Sequence, residues 1–147
     1  MLTLKTLFAS SDQKGSLGYK FRSNRFKVVE ELIYSSFKRE LPITILDIGG
    51  RAYFWKDQEL LRKGLVKITL LNLQKEETDI HGLLSVSGDA TDLSEFADGS
   101  FDLVFSNSVI EHLYNWENQK KMAKEARRVG KKYFVQTPNR HYFMDAH

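Results

Sequence analysis

Cysteine is missing altogether from the 147 residues. That excludes disulfides and thiolate metal ligands, and it fits a reducing cytoplasm as the expected compartment. Long apolar runs are missing too. No stretch approaches the roughly 18 residues that a membrane helix needs, and the opening MLTLKTLFASSDQKGS has too short an apolar core for a secretory signal. Charge is nearly balanced: the formal excess is +3, small for a protein whose affinity would rest on neutralising several phosphates at once, so nucleic acid is disfavoured as a partner. Many basic residues fall between Lys120 and Lys132 at helical spacing, where they read as a solvated face. Neither the Gly-x-Gly-x-x-Gly dinucleotide pattern nor the Walker Gly-Lys-Ser/Thr occurs. His81, His141 and His147 show no metal-ligand spacing, and no metal site is expected.

What is present is one domain's worth of chain, with 41% hydrophobic and 28% charged residues, which is the balance of a soluble globular protein able to bury a core. Residues 1–22 read as a loose polar arm, and residues 23–147 as the folded domain. Phe26, Val29, Leu32, Ile33 and Phe37 recur on one helical face, capped by Ser23 or Asn24 and stopped before Pro42. Ile43–Ile48 reads as a short buried strand, Phe54–Arg62 as a helix ending near Gly64, and Val66–Leu73 as a second strand. Leu83–Val86 is a weaker strand, Ala97–Ser100 a turn, and Phe101–Ser106 a strong strand. Asn115 caps a helix from Trp116 to Val129 whose inward positions include Met122, Ala123 and Ala126. Gly130 gives it a left-handed stop, and Lys132–Gln136 is the last strand. Strands alternating with helices imply βαβ units, hence a mostly parallel sheet of about five strands with helices on both faces.

In such sheets ligands sit beyond the carboxyl ends of the strands, where the strand order reverses. Four short polar clusters arrive there: Asp47 with Gly49 and Gly50, then Asn72, then Asp89 with Ala90, then Ser106 with Asn107. The two glycines let backbone approach a ligand and free the amides at the next helix start to donate. An aspartate at the lip is wrong for a phosphate. A cation carrying a ribose and an adenine, with no phosphate, suits the rim better.

ILDIGG (45–50), ITLLNL (68–73), SGDATDL (87–93), DGSFDLVFSNSVIEHL (98–113) and KKYFVQTPN (131–139) occur in that order. Together they resemble the class I S-adenosylmethionine-dependent methyltransferases, from about Phe26 to Pro138. The resemblance implies a Rossmann-like methyltransferase fold with S-adenosylmethionine as cofactor. It places Asp47 at the acid that opens the glycine loop, and Gly49 and Gly50 in the loop that approaches the methionine part. Asn72 falls where the family usually has an acid for the ribose hydroxyls, and an amide there bonds without charge assistance. Asp89 matches the acceptor for the adenine amino group, with the Ala90 backbone beside it. Asn107 matches the place where cofactor and acceptor substrate meet. The chain departs from the family's longer glycine pattern at Arg51 and Tyr53, where side chains must be accommodated, although a Gly-Gly pair followed by Phe54 and Trp55 occurs in some branches.

The same residues have plainer roles open to them. The glycines could only turn a strand into a helix, Asp47 could cap that helix, and Asp92 could cap the turn at Leu93–Phe96. Trp55 and Trp116 suit packing better than substrate stacking. His112 is a weak candidate for a general base. The implied chemistry is direct displacement at the sulfonium methyl carbon. Without cysteine the thiolate route to pyrimidine carbon methylation is closed, and Ser106-Asn107-Ser108-Val109 is not the Asn/Asp-Pro-Pro-Tyr of base-modifying enzymes, so a small-molecule acceptor is expected. A degenerate, non-catalytic fold is the alternative, and a nicotinamide-dependent Rossmann enzyme a more distant one. Only Asn139 to His147 follow Pro138, too few residues for the hairpin with which the family closes its sheet. That predicts an uncovered strand-five edge and association into a homodimer or larger assembly there.

Overall fold

The computed structural model describes residues 17–38 and 40–138, and gives side chains of the first helix only for Asn24 and from Phe26 onward. The chain forms two units, Met1–Leu41 and Pro42–His147. The first contributes helix α1, Leu17–Phe37. Its buried positions, Phe26, Val29, Ile33 and Phe37, are spaced by three and four residues as one helical face requires, whereas Leu32 is exposed. The helix begins before the expected caps, so Ser23 and Asn24 lie inside it and the expected arm loses residues 17–22 to structure. Residues 1–16 lie outside the described residues.

The second unit is a parallel sheet of five strands: β1 (Ile43–Ile48), β2 (Val66–Asn72), β3 (Leu83–Ser87), β4 (Phe101–Asn107) and β5 (Gly130–Gln136). Their order in space is β3-β2-β1-β4-β5. The order reverses between β1 and β4, which pair in register from Ile45 with Leu103 to Ile48 with Ser106. The cleft beyond those two strand ends is therefore the switch point of the sheet.

Each face of the sheet is packed. Leu46, Ile48, Leu71, Val104, Met122, Ala126 and Val129 form one buried cluster, which joins β1, β2 and β4 to helix α4 (Trp116–Val129). Ala123 is exposed, because it sits about 100° around the helix from Met122 and so leaves the Met122–Ala126–Val129 stripe. On the other face Phe105 meets Trp55 edge-on at 5.9 Å and stacks on Phe134 at 5.8 Å. Trp55 is buried, while Trp116, at the first helical position of α4, is 69% exposed.

Two local expectations fail for identifiable reasons. The predicted helix over 54–62 is two short ones, α2 (Ala52–Trp55) and α3 (Glu59–Arg62). Gln58 divides them: its backbone is extended and its side-chain amide donates to the Phe54 carbonyl at 2.9 Å, closing the first helix before the second starts. Gly130 is not a left-handed stop. Its φ is −102°, already extended, and β5 begins there. Glycine is needed because a Cβ would lie 2.6 Å from a Val104 methyl and 2.8 Å from the Lys132 carbonyl oxygen.

Candidate functional site

The loop leaving β1 passes very close to the segment leaving β4. Gly49 has φ +76°, a conformation side chains adopt at a cost, and a Cβ on it would overlap a Val109 methyl. A Cβ on Gly50 would overlap the Asp47 carboxylate. Both glycines are thus demanded by close approach. The following backbone asks for none: Arg51 is extended, with φ −123° and ψ 142°, and is exposed, and Tyr53 lies in α2 with its side chain partly exposed. The departures from the longer glycine pattern are accommodated by pointing away from the crowded side of the loop.

Asp47 is not on the lip. It is 2% exposed, beneath the loop, and the Trp55 indole Nε1 donates to its Oδ2 at 2.6 Å. Burial pushes its carboxyl from 3.8 up to about 7, against the opposing pull of the indole hydrogen bond. Near neutral pH, Asp47 is therefore partly protonated and brings less negative charge to the cleft than its residue type suggests.

The loop is held from the β2 side. The Gly49 amide donates to the Leu71 carbonyl at 2.8 Å, and Asn72 Nδ2 donates to the Gly50 carbonyl at 2.8 Å. The Ala52 amide donates to Glu76 Oε2 at 3.1 Å. This last bond differs from the expectation of open amides at the start of α2, since a carboxylate already takes one of them. The sequence offered no sign of Glu76, an acid 24 residues away in a polar loop.

Beyond β3, Asp89 Oδ1 accepts from both the amide and the hydroxyl of Thr91 at 2.8 Å, an Asx turn that fixes the carboxylate and leaves Oδ2 as its other acceptor. Ala90 is buried next to it. Asp92 Oδ1 accepts from Ser94 at 3.1 Å, the turn-capping role expected. Arg128, grouped in sequence with a solvated face, is turned inward. It donates to the carbonyls of Phe96 and Leu93 at 2.8 Å each and pairs with Asp98 and Glu125, so that one guanidinium fixes the loop from Leu93 to Asp98.

At the end of β4, Ser106 is buried and its hydroxyl donates to the Ile48 carbonyl at 3.2 Å, tying β1 to β4. Asn107 is half-buried at the strand terminus, and the next amide, Ser108, donates to Gln136 at 2.9 Å. His112 is exposed on the 3-10 turn Ile110–His112. Glu111, one residue earlier, accepts from the Thr137 hydroxyl at 3.1 Å on Oε2, and its Oε1 is buried without a partner among the described residues. The fold therefore carries Gly49, Gly50, Asn72, Asp89, Ala90 and Asn107 to the carboxyl ends of β1 to β4, and sets Asp47 below them. Among the described residues no cluster of three His, Asp or Glu could hold a metal, and no helix is long and apolar enough to cross a membrane.

The sequence profile described as "Methyltransferase domain" matches residues 59–133, just over half the chain. The chain belongs to that methyltransferase family. The match starts after the glycine loop. No curated protein matches the sequence. Among solved structures, the chain is similar to a SAM-dependent methyltransferase from Archaeoglobus fulgidus, with 21% identity and a TM-score of 0.54 over 85% of this chain and 60% of that one. It is similar also to a structure of the Haloferax volcanii Trm112 methyltransferase activator in complex with the putative methyltransferase, with 19% identity and a TM-score of 0.54 over 90% and 61%. A third is coclaurine N-methyltransferase bound to N-methylheliamine and SAH, with 14% identity and a TM-score of 0.54 over 92% and 44%. At these identities the likeness is one of fold, the Rossmann-like methyltransferase fold. The chain spans less than two thirds of the length of each of the three.

Proposed function

We propose that this methyltransferase domain binds S-adenosylmethionine at the rim formed by Gly49, Gly50, Asn72, Asp89, Ala90 and Asn107, and transfers its methyl group directly to a small-molecule acceptor. The observation that carries the reading is the glycine loop. It offers close backbone approach, as a cofactor needs, but the Glu76 carboxylate already occupies the Ala52 amide. That arrangement disfavours a pyrophosphate and suits an ammonium or sulfonium cation, which supports S-adenosylmethionine over the nicotinamide alternative. The bound cofactor would supply an activated methyl on a good leaving sulfide. The chain's own part is to hold and exclude. Gly49 and Gly50 let backbone close on the amino-acid end, Asn72 stands at the ribose position, and Asp89 Oδ2 accepts from the adenine amino group. The β4 end at Asn107 is where the acceptor is held in line, which lowers the barrier by positioning. His112 serves as base only for an acceptor that must lose its proton before attack.

The small-molecule reading is supported by the near-neutral charge and the absence of the Asn/Asp-Pro-Pro-Tyr signature. A homodimer or larger assembly through β5 is supported by that strand's place at the edge of the sheet among the described residues, with Tyr133 61% exposed along it. The test is thermal melting with S-adenosylhomocysteine and NADH in parallel. Only the former should raise Tm, by an amount equivalent to about 2.7 kcal/mol at a hundredfold excess over Kd. Asp89→Ala should weaken S-adenosylhomocysteine by about 1–3 kcal/mol. Stabilisation by NADH alone would overturn the reading. S-adenosylhomocysteine binding with no turnover across amine, hydroxyl and carbon acceptors would favour the non-catalytic alternative.

A further inference from the structure

The glycine loop has two residues that favour flexibility and a following helix of only four residues, whose preceding residue, Arg51, makes no side-chain cap. Yet successive loop peptides are bonded to one neighbouring stretch. Leu71 takes the Gly49 amide, Asn72 Nδ2 gives to the Gly50 carbonyl, and Glu76 Oε2 takes the Ala52 amide. Glu76 is itself anchored, because its backbone amide donates at 2.9 Å to the hydroxyl of Ser85, a buried residue of β3. The result is a relay across the sheet, from Ser85 on β3 through Glu76 to Ala52 beyond β1. The carboxylate-to-amide link is charge-assisted, the stronger kind of hydrogen bond.

We infer that Glu76 is a positioning residue that sets the glycine loop for the amino-acid end of the cofactor, acting through the Ala52 amide. The inference rests on the proposed cofactor site and extends it to a residue outside the six assigned there. A loop fixed before binding loses little further freedom when the ligand arrives, and a loop released from Glu76 must be ordered at the expense of affinity. Because Glu76 acts on the β1 loop, and not on the Asp89 turn that would receive the adenine, its influence is confined to one end of the ligand. An effect through general stability would weaken both ends alike.

Calorimetric titration with two ligands separates these. S-adenosylhomocysteine has the amino-acid end; 5′-methylthioadenosine shares its adenosine and thioether but lacks that end. Glu76→Ala is expected to weaken S-adenosylhomocysteine at least tenfold and 5′-methylthioadenosine less than twofold. Glu76→Gln, whose side-chain oxygen still accepts from Ala52, should recover most of the loss. In the ligand-free protein, hydrogen exchange at the Ala52 amide should quicken at least tenfold in Glu76→Ala and stay slow in Glu76→Gln. Unchanged S-adenosylhomocysteine affinity in Glu76→Ala, or equal weakening of both ligands, overturns the positioning role. Failure of the unmodified protein to bind S-adenosylhomocysteine overturns the cofactor reading instead, and unchanged Ala52 exchange then disposes of the Glu76 clasp independently.

Discussion

The two rims that meet where Gly49 faces Val109 are built differently. The β1 rim is braced: its loop is bonded to Leu71, Asn72 and Glu76, and the buried Asp47–Trp55 pair lies beneath it. The β4 rim is strained. Ser108 and Tyr114 are non-glycine residues at φ +58° and +51°, on either side of the 3-10 turn, and Tyr114 is 99% exposed. Glu111 lies in that turn with a buried carboxylate oxygen lacking a partner among the described residues. Strain and unmet hydrogen bonding of this kind collect where surroundings have been shaped for something other than stability. The β1 side is thus held by several hydrogen bonds, whereas the β4 side carries backbone strain and an unmet acceptor.

The braced rim has one weakness, the acidity of Asp47, and the largest predicted effect comes from it. An acid whose folded pKa lies above its unfolded one stabilises the fold fully below the unfolded value and loses that contribution as pH rises through the folded value. For Asp47 the window runs from 3.8 to about 7, a difference equivalent to about 4 kcal/mol. Asp47→Asn keeps an acceptor for the Trp55 indole and cannot ionise. Urea melts of the two proteins from pH 4 to pH 8 should therefore diverge, with the variant gaining about 4 kcal/mol relative to the parent over that range. Parallel pH profiles would mean that Asp47 is not held in the buried, charge-excluding position.

How far the sequence foretells each rim follows from the reach of the forces involved. β1 was readable to the residue, Ile43–Ile48, because a strand packed on both faces is mostly apolar, and only Thr44 and Asp47 interrupt this one. The turn capped by Asp92 was readable because its chemistry is local, within two residues, and the glycine pair was readable as a sharp turn after β1, though the contact with Val109 that demands Gly49 was not. The Trp55 bond to Asp47 and the Glu76 bond to Ala52 were not, since neither a Trp eight residues along nor an acid in a polar loop announces its partner. The helix ends failed where a side chain intervened, as Gln58 did between α2 and α3, or where packing rather than φ required glycine, as at Gly130. Arg128 was grouped with a solvated face because helical spacing does not reveal which basic residue is drawn into a neighbouring loop.

The point of contact between the rims gives the second prediction. Gly49→Ala incurs left-handed strain and overlap with Val109, together costing about 2–4 kcal/mol. Adding Val109→Ala removes the overlap and leaves the strain, so a double-mutant cycle by urea denaturation should show a favourable coupling of about 1–2 kcal/mol. Strict additivity would show that the rims do not touch as described. On the strained rim alone, Glu111→Met replaces a carboxylate with an orphaned buried oxygen by an apolar chain of similar length. Loss of the exposed Thr137 hydrogen bond is a smaller matter, and a net gain of about 1 kcal/mol is expected. A loss of similar size would mean that Glu111 has a partner holding it in place.

The smallest effect is the most direct test of whether the β4 rim carries backbone strain. Tyr114 holds φ +51° with its side chain almost wholly in solvent, so replacing it removes little packing and isolates the backbone. Asparagine tolerates the left-handed region better than tyrosine and, unlike glycine, adds little entropy to the unfolded chain. Tyr114→Asn should therefore stabilise the fold by about 0.5–1 kcal/mol in urea melts. The braced rim is untouched, so S-adenosylhomocysteine affinity should stay within twofold of the parent. If the left-handed turn is instead held by contacts of the tyrosine ring, the variant will be less stable than the parent. The β4 segment would then be a second braced element, and the contrast between the rims would fail at its weakest point.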